Sequence, residues 1–370
     1  MQQVDLSALR QALHRIPEPA FQEQQTKALL LSYLKPLQGI IIHQFEQSPA
    51  LLVEYTHGTG DYLLFRADMD GLPIGEETGC DFMSLQAGMM HACGHDIHMT
   101  VLLGTIWEVC QSQPAANLLF LFQPAEEGQG GAQSVLAEGI LQRFSIRHAF
   151  ALHVTGKLPL NSVSSKAGII FANTQEFDVE FFGQAAHVAF PEQGHNALAA
   201  AVSFYHRFRQ EMETLAASEP CLHNIGLCQA GTIRNIIPDY CRLEGTHRSL
   251  DRGLREHINS RLADLAQTAA GEQNCTAKVS LLCSYDLVVN AANLYERLVA
   301  VCDKTGIDFV EARTTMTGED FGFFSALYPS LLFWLGGNDP QHDLHSSRFL
   351  PDSACIRTGV QIFTQLISSF

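Results

Sequence analysis

The feature that most constrains this chain is a set of short apolar runs, each followed by carboxylate or imidazole side chains. The runs are continuous and not alternating: 62–66 (YLLFR), 118–122 (LLFLF), 149–152 (AFAL) and 331–335 (LLFWL). Continuous apolar runs of this length are typical of strands that are buried on both faces of a sheet. The pattern predicts an α/β fold whose mixed, mostly parallel sheet is flanked by helices, with one helix over 97–110.

The polar residues that follow these runs are the first pointer to a site. They are Asp68 and Asp70, Glu126 and Glu127, His153 and, shortly after the last run, His345. In open α/β sheets, sites form outside the carboxyl ends of the strands, so we expect these side chains to meet at one edge. Each of them taken singly has an ordinary structural explanation, and only the set indicates a function.

The segment 91–98 (HACGHDIH) places three imidazoles, a thiol and a carboxylate within eight residues. Thiolate, imidazole and carboxylate together suit Zn²⁺ and its transition-metal neighbours better than Mg²⁺ or Ca²⁺. Cys93 alone is typical of a core residue. Beside His95, and just before a predicted helix whose N-terminus would stabilise a thiolate, it predicts a metal ligand.

The middle of the chain has a different texture. Between residues 177 and 285 the order of predicted elements is β-α-β-β-α-β, the split βαβ arrangement of ferredoxin-like α+β domains. A chain of 370 residues also exceeds what one hydrophobic core usually supports. The sequence therefore predicts a catalytic domain formed by residues 1–172 and 287–370, with a smaller domain inserted at 173–286. The opening helix, over 6–34, is expected to be interrupted at Pro17 and Pro19.

Charge and export signals restrict the partners. The formal net charge of −16 argues against nucleic acid and against anionic membranes, because both bind through Lys and Arg. No apolar run approaches 18 residues, and no export signal is evident at the N-terminus. We therefore expect a cytoplasmic protein with reduced cysteines and a small-molecule substrate.

Ten segments between residues 14 and 349 carry a family resemblance. They are HRIPEPAF (14–21), RADMDGLPI (66–74), GMMHACGHDIHM (88–99), FQPAEEG (122–128), ALHV (151–154), GQAAHVAFPEQG (183–194), GTIRNIIPD (231–239), EGTHRS (244–249), TGEDF (317–321) and LHSSRF (344–349). Together they resemble the aminoacylase/carboxypeptidase family of dinuclear metallohydrolases. Within it, they are similar to the amidohydrolase branch, which includes hippurate hydrolases and auxin–amino acid conjugate hydrolases.

The resemblance implies a role for each matching residue. It implies two divalent metal ions per subunit (Zn, Mn, Co or Ni), Glu126 as general base, His187 as a helper at the substrate carbonyl, Asp70 as the residue that orients the metal cluster, Asn235 in the substrate pocket, and metal ligands at Cys93, His95, Glu127, His153 and His345. It also implies a homodimer formed through the inserted domain, which would act as a lid and bring His187 to the partner's site.

The expected activity is hydrolysis of the amide bond of N-acyl amino acids, releasing an amino acid and a carboxylic acid. Two alternatives stay open: a metallo-carboxypeptidase or dipeptidase with the same metals and base, and a catalytically silent binding homologue. The chain departs from the family pattern at 348–355 (RFLPDSAC), where relatives carry an acidic stretch, and at 167–179 (AGIIFANTQEFDV). Neither departure falls on a predicted ligand.

Overall fold

The computed structural model describes residues 4–128 and 130–370. Its helices are α1 (Leu6–His14), α2 (Gln24–Leu34), α3 (His95–Ser112), α4 (Gly131–Ala137), α5 (Ala197–Ala216), α6 (Arg252–Glu272), α7 (Ala292–Thr305), α8 (Gly322–Leu327) and α9 (Cys355–Ile367). The strands of the first half are β1 (Ile40–Gln44), β2 (Leu51–Thr56), β3 (Tyr62–Asp68), β4 (Asn117–Gln123), β5 (Ile146–Thr155), β6 (Ser162–Ser165), β7 (Gly168–Phe171) and β8 (Asn173–Phe182). Those of the second half are β9 (Ala186–His187), β10 (Cys221–Ala230), β11 (Ile236–Ile237), β12 (Tyr240–Ser249), β13 (Thr276–Tyr285), β14 (Val288–Asn290), β15 (Asp308–Glu311) and β16 (Ser330–Gly336). Within the described residues, no helix combines the length and the apolar character needed to cross a membrane.

The chain forms two compact units, and the larger one holds a ten-stranded sheet. This unit comprises the residues up to Ile170, Val288–Arg313 and Asp320–Phe370. Its main strand order is β1-β2-β4-β3-β5-β16-β14-β7, and β6 pairs with β16 and β15. The central neighbours β4-β3-β5-β16-β14 are parallel, whereas β1, β2 and β6 add antiparallel pairs. The predicted mixed, mostly parallel sheet with flanking helices is confirmed.

A row of phenylalanines joins the central strands. Phe65 of β3 lies in register with Phe120 of β4 and Phe150 of β5, with ring centroids 5.7 and 4.9 Å apart. Phe363 of α9 meets Phe65 edge-on at 5.0 Å. Burial of each such ring contributes roughly 1.5–3 kcal/mol, so the row stabilises the packing of the strands at their middle.

One element boundary differs from the sequence expectation, whereas the expected interruption of the opening helix is present. β5 continues to Thr155, so His153 lies inside the strand and not after it, because the neighbouring β16 pairs with it as far as Thr155. The opening helical region consists of two helices, α1 and α2, because Pro17 and Pro19 cannot continue a helix.

The smaller unit comprises Phe171–Leu287 and Thr314–Glu319. Its elements follow the order β8-α5-β10-β12-α6-β13, and its antiparallel sheet has the strand order β10-β12-β8-β13. This is the element order predicted for the inserted segment. The core includes Phe177, Phe181, Phe204 and Phe208, all at most 1% exposed.

One segment falls outside the predicted partition. Residues 314–319 belong to the smaller unit, whereas the sequence analysis assigned them to the larger domain. Three hydrogen bonds connect them to it: the amide of Ala172 donates to the carbonyls of Thr315 and Thr317, each at 3.1 Å, and Arg248 donates to the carbonyl of Met316 at 2.7 Å. The role of the smaller unit as a lid or dimerisation domain stays a prediction.

Candidate metal centre

A sharp turn brings Cys93 to the start of helix α3. Gly94 is the residue before this helix and has a φ of +81°, which favours glycine. A Cβ atom at this position would lie 2.3 Å from Cγ1 of Val154 on β5, so there is no room for any other residue. Cys93 and His95 therefore flank a turn that packs directly against the strand carrying His153.

His95 presents one ring nitrogen that the protein leaves unused. Its Nδ1 donates to the carbonyl oxygen of Asp70 at 2.9 Å, so in the neutral ring the lone pair lies on Nε2. Nε2 is buried, has no hydrogen-bond partner among residues 4–128 and 130–370, and lies 3.8 Å from Oδ1 of Asp68. Buried polar atoms are almost always partnered, and metal-bound imidazoles use their other nitrogen in this way.

Cys93 and His153 face each other next to His95. The Sγ atom of Cys93 lies 3.3 Å from Nε2 of His153, and Nδ1 of His153 donates to the carbonyl of Val154 at 2.8 Å. The ligand atoms of Cys93, His95 and His153 all lie within 4.8 Å of one another. A single transition-metal ion can be reached by all three at ordinary bond lengths.

The loop after β4 carries the two glutamates, and Asp70 holds it. The carboxylate of Asp70 accepts the amides of Glu126 and Glu127, each at 3.0 Å. Ligand atoms of Glu126, Glu127 and His95 lie within 4.8 Å of one another, as do those of Glu127, Cys93 and His345. The expectation that Asp70 orients the cluster therefore has a direct structural counterpart, although its role stays a prediction.

His345, which lies in a loop, is the last of the five predicted metal ligands. Its amide donates to the carbonyl of Ala92 at 2.9 Å, and its Nε2 lies 2.9 Å from Oε1 of Glu127. Its φ is +67°, a left-handed conformation that costs a non-glycine residue about 1–3 kcal/mol. The surrounding contacts hold His345 in this conformation, and half of its side chain remains exposed.

The field of the site favours positive charge. Burial and the carboxylates of Glu127, Glu126 and Asp68 raise the pKa of the Cys93 thiol well above its ordinary value. Burial lowers the pKa of His95, but Asp68 and Asp70 outweigh it and raise that pKa to about 10. In the protein without a bound cation, burial and these carboxylates outweigh any stabilisation of a Cys93 thiolate by the helix start, and the role of Cys93 as a ligand stays a prediction. A bound cation would favour the thiolate, because a coordinating thiol loses its proton.

His153 is the neutral member of the set. Burial and the neighbouring His98 lower the pKa of its imidazole to about 3. By contrast, burial raises the pKa of Glu127, but hydrogen bonding to His345 and the charge of His95 outweigh it, and the net pKa is lowered. A neutral imidazole and an ionised carboxylate are the forms that bind metal.

These residues fit divalent cations. Cys93, His95 and Glu127 each belong to two of the three overlapping groups, which together contain sulfur, nitrogen and oxygen donors. Nε2 of His95 is buried without a hydrogen-bond partner in the described structure. This donor set suits Zn²⁺ and neighbouring transition metals. All five predicted ligands lie in this cluster with Glu126, and their roles as ligands and base are taken up below as proposals.

A buried network that was not predicted from the sequence lies behind these residues. Asp68 accepts from Nδ1 of His98 at 2.6 Å and from Arg66 at 2.7 Å, and Arg66 also pairs with Asp320 at 2.6 Å. His98 accepts the amide of Val154 on Nε2 at 2.8 Å, so both of its nitrogens are used within the protein. The strand-end pattern pointed to Asp68, but no sequence signal separates a supporting carboxylate from a ligand.

His187 and Asn235 lie in the smaller unit, on a short antiparallel ribbon. His187 of β9 pairs with Ile236 of β11, and the amide of Val188 donates to the carbonyl of Asn235 at 3.0 Å. The amide of Ala189 donates to Nδ1 of His187 at 3.1 Å. The proton of the neutral ring therefore resides on Nε2, which makes that nitrogen a hydrogen-bond donor. The structure brings these two predicted residues together within one unit.

The chain matches known proteins over its whole length. A family model described as Peptidase family M20/M25/M40 matches residues 64–369. An N-acetyldiaminopimelate deacetylase from Shouchella clausii is 36% identical over 376 residues, covering 100% of this chain and 99% of that one. A protein of the same name from Oceanobacillus iheyensis is 38% identical over 371 residues, covering 99% of this chain and 100% of the other.

Solved structures share the fold. A dinuclear metal-binding peptidase of the M20 family from Bacillus subtilis (YXEP) has a TM-score of 0.82 at 27% identity, covering 98% of this chain and 96% of its own. A putative aminohydrolase from methicillin-resistant Staphylococcus aureus has a TM-score of 0.91 at 21% identity, with 98% and 95% covered. The second likeness shows the fold alone.

Proposed function

Since the chain belongs to peptidase family M20/M25/M40 and is a metal-dependent amidohydrolase, we propose that it hydrolyses the amide bond of an N-acyl amino acid. The observation that carries the proposal is that overlapping groups of ligand atoms link Cys93, His95, Glu127, His153 and His345, and that Nε2 of His95 is buried without a hydrogen-bond partner in the described structure. The relatives matched over their full length carry the name N-acetyldiaminopimelate deacetylase. An N-acetylated diamino acid of this kind is the first candidate substrate.

We propose that these five residues would hold two divalent cations. Glu127 belongs to two of the groups of ligand atoms, one with Cys93 and His345 and one with His95 and Glu126. Bound cations of this kind lower the pKa of water towards roughly 7 and polarise an amide carbonyl. Cys93 must lose its proton to take part, so cation binding and thiol deprotonation are coupled.

Glu126 is proposed as the general base. It is buried at 5% exposure and lies among His95 and Glu127 in a loop fixed by Asp70. A carboxylate in this position takes the proton of the attacking water and passes it to the nitrogen of the leaving amine, so that the proton is conserved over the reaction. Glu127, its neighbour, keeps its charge as a ligand.

His187 is proposed to donate a hydrogen bond to the oxygen of the tetrahedral carbon. Its Nδ1 already accepts the amide of Ala189, so Nε2 carries the donor hydrogen that this role requires. Loss of one such donor typically lowers the rate by about 10²–10³-fold. Asn235, held beside it on the same ribbon, is proposed to contact the substrate.

A homodimer through the smaller unit is proposed to bring His187 to the partner's site. Strand β10 is an outer strand of its sheet, with one edge unpaired within that sheet. An apolar groove of about 310 Å³ lies beside it, lined in part by Val202, Tyr205 and Leu227, which are 59%, 44% and 37% exposed. Edge pairing with a second copy would cover both the strand and the groove.

The dimer proposal is tested by mixing two inactive variants. His187→Ala and Glu126→Gln should each be nearly inactive alone. Random pairing of refolded subunits should restore roughly a quarter of wild-type activity, because each mixed dimer has one complete site. A confirmed heterodimer without activity would contradict the proposal that His187 acts in the partner's site. An active His187→Ala protein would contradict its catalytic role.

The substrate proposal is tested with a panel. The protein would be stripped of metal, reloaded with Zn²⁺, Mn²⁺, Co²⁺ or Ni²⁺, and assayed on N-acetyldiaminopimelate, on N-acetyl, N-benzoyl and N-indoleacetyl amino acids, and on dipeptides. We expect N-acetyl substrates to be cleaved and activity to vanish on chelation. Preference for dipeptides would support the peptidase alternative, and no turnover at full metal load would support a silent binding protein.

A further inference from the structure

We propose that Asp320 is a positioning residue for Glu126, and this rests on the proposed function. The amide nitrogen of Asp320 donates to Oε1 of Glu126 at 3.4 Å. The hydrogen bond is long, as hydrogen bonds around catalytic groups often are before substrate binds. The position of this amide fixes where the base can place its carboxylate.

The carboxylate of Asp320 is fixed on both sides of the loop that carries Glu126. Its Oδ2 accepts from Nε2 of Gln123 at 2.7 Å, before the loop, and from the amide of Ala132 at 3.0 Å, after it. Its Oδ1 accepts from Arg66 at 2.6 Å. Asp320 and Arg66 are at most 1% exposed, so these contacts are shielded from water.

Through these contacts Asp320 holds both ends of the loop that carries Glu126, and we call this set of contacts the clamp. The side chain of Asp320 sets the spacing between Gln123 and Ala132, and its main chain contacts the glutamate between them. Arg66 completes the clamp from strand β3, where its Nε also donates to Oε1 of Gln123 at 2.9 Å. Groups that orient a functional residue in this way typically matter by about 10–100-fold when they are removed.

Asp320 also lies at a boundary between the two units along the chain. Residues 314–319 belong to the smaller unit, and Asp320 is the first residue after them that belongs to the larger one. The anchored carboxylate therefore holds the amide that contacts Glu126 at the point where the chain passes from one unit to the other.

The test is a double-mutant cycle with Asp320→Asn and Glu126→Asp, a variant that keeps a carboxylate but shortens it by one methylene. Asp320→Asn alone should lower kcat about 10–100-fold while KM changes little, because substrate binding does not use Asp320. In the Glu126→Asp protein the same change should cost less than about threefold, because the contact with the amide is already lost. Metal content and the Co²⁺ absorption spectrum should be unchanged in all four proteins.

Denaturant unfolding of the same four proteins gives a readout that does not depend on activity. The effects on the unfolding equilibrium constant should be non-additive by about 2- to 10-fold, because the two groups are in contact.

Asp178→Asn is the matched control: Asp178 is also a buried, arginine-paired aspartate, bonded to Arg242 at 2.7 Å in the smaller unit, and its replacement should leave kcat unchanged. If Asp320→Asn folds poorly, Gln123→Met removes the contacts of Gln123 with Asp320 and Arg66 without removing a charge and should also lower kcat.

Equal losses of kcat in both backgrounds, or a loss of bound metal that parallels the loss of rate, would overturn the proposal. So would additive effects on unfolding. If the wild type hydrolyses none of the panel, the proposed function fails, while the unfolding cycle still decides whether Asp320 holds Glu126.

Discussion

Two buried histidines near the start of helix α3 have carboxylate neighbours, and they differ in how their ring nitrogens are used. His95 donates from Nδ1 to Asp70 and leaves Nε2 unpartnered within the described structure. His14 uses both: Nδ1 lies 2.9 Å from Oδ2 of Asp96, and Nε2 lies 3.2 Å from Oε1 of Glu76. Both rings are only about 1% exposed.

The difference teaches how to separate a metal ligand from a structural histidine. A count of possible metal-ligand atoms alone would predict a metal site at both histidines, since His14, Glu76 and Cys80 also have ligand atoms within 4.8 Å of one another. In that cluster the imidazole is already saturated by carboxylates, and Arg10 adds a further ion pair to Asp96 at 3.1 Å. The cluster of His95 is open and favours a cation, whereas the cluster of His14 is closed and serves as a structural clamp between α1, α3 and the loop of Glu76.

The largest expected effect separates two neighbours within the open cluster. Glu126→Gln should lower kcat by about 10²–10⁴-fold while metal content stays the same, because only the proton acceptor is lost. Glu127→Gln should lower metal content as well. Kinetics and metal analysis on both variants check this. Near wild-type turnover of Glu126→Gln would contradict the assignment of the base.

The next effect belongs to the closed cluster. His14→Ala leaves Glu76 without its imidazole partner and should lower the free energy of unfolding by about 3–5 kcal/mol, with metal content of the folded protein unchanged. The matched control is His43→Ala, because His43 pairs with Glu54 at 2.8 Å but is 25% exposed, so its loss should cost less than about 1 kcal/mol. Loss of metal in His14→Ala would erase the distinction between the clusters.

The closed cluster also predicts a pH dependence of stability. Burial lowers the pKa of His14, but Asp96 and Glu76 outweigh it and raise that pKa from 6.5 to about 9. The folded state therefore holds a proton that the unfolded chain releases, and the contribution of about 3 kcal/mol is complete below pH 6.5. It should be lost as the pH rises towards 9. The difference in Tm between wild type and His14→Ala should shrink over this range, and a constant difference would contradict the assignment.

The smallest effect is a difference between two thiols. Metal should slow alkylation of Cys93 in the open cluster but not of Cys80 in the closed one, because only Cys93 is proposed to become a ligand. Cys93 is buried and Cys80 is partly exposed, so the comparison is made for each residue with and without metal. Mass spectrometry of labelled peptides measures both. Equal protection of Cys80 would show that the second cluster also binds metal.

Most of the fold and the set of site residues could be predicted from the sequence. Continuous apolar runs identified the central strands, and the change of texture after residue 177 identified the split βαβ order of the smaller unit. The extension of β5 past His153 could not be predicted, because strand length depends on how far β16 pairs with it. The inclusion of 314–319 in the smaller unit also depended on contacts with Ala172 and Arg248 that are distant in sequence.

The sequence by itself determined which chemical groups are available at the edge of the sheet, because side-chain chemistry and strand ends are local properties of the chain. Only the tertiary structure decided what each group does. The unused nitrogen of His95, the saturated nitrogens of His14 and His98, and the clamp of Asp320 on the Glu126 loop all depend on partners at least 25 residues away. The pKa of Cys93 was decided in the same way, since folding brings Glu126 and Glu127 to a thiol that the helix start alone would have favoured as a thiolate.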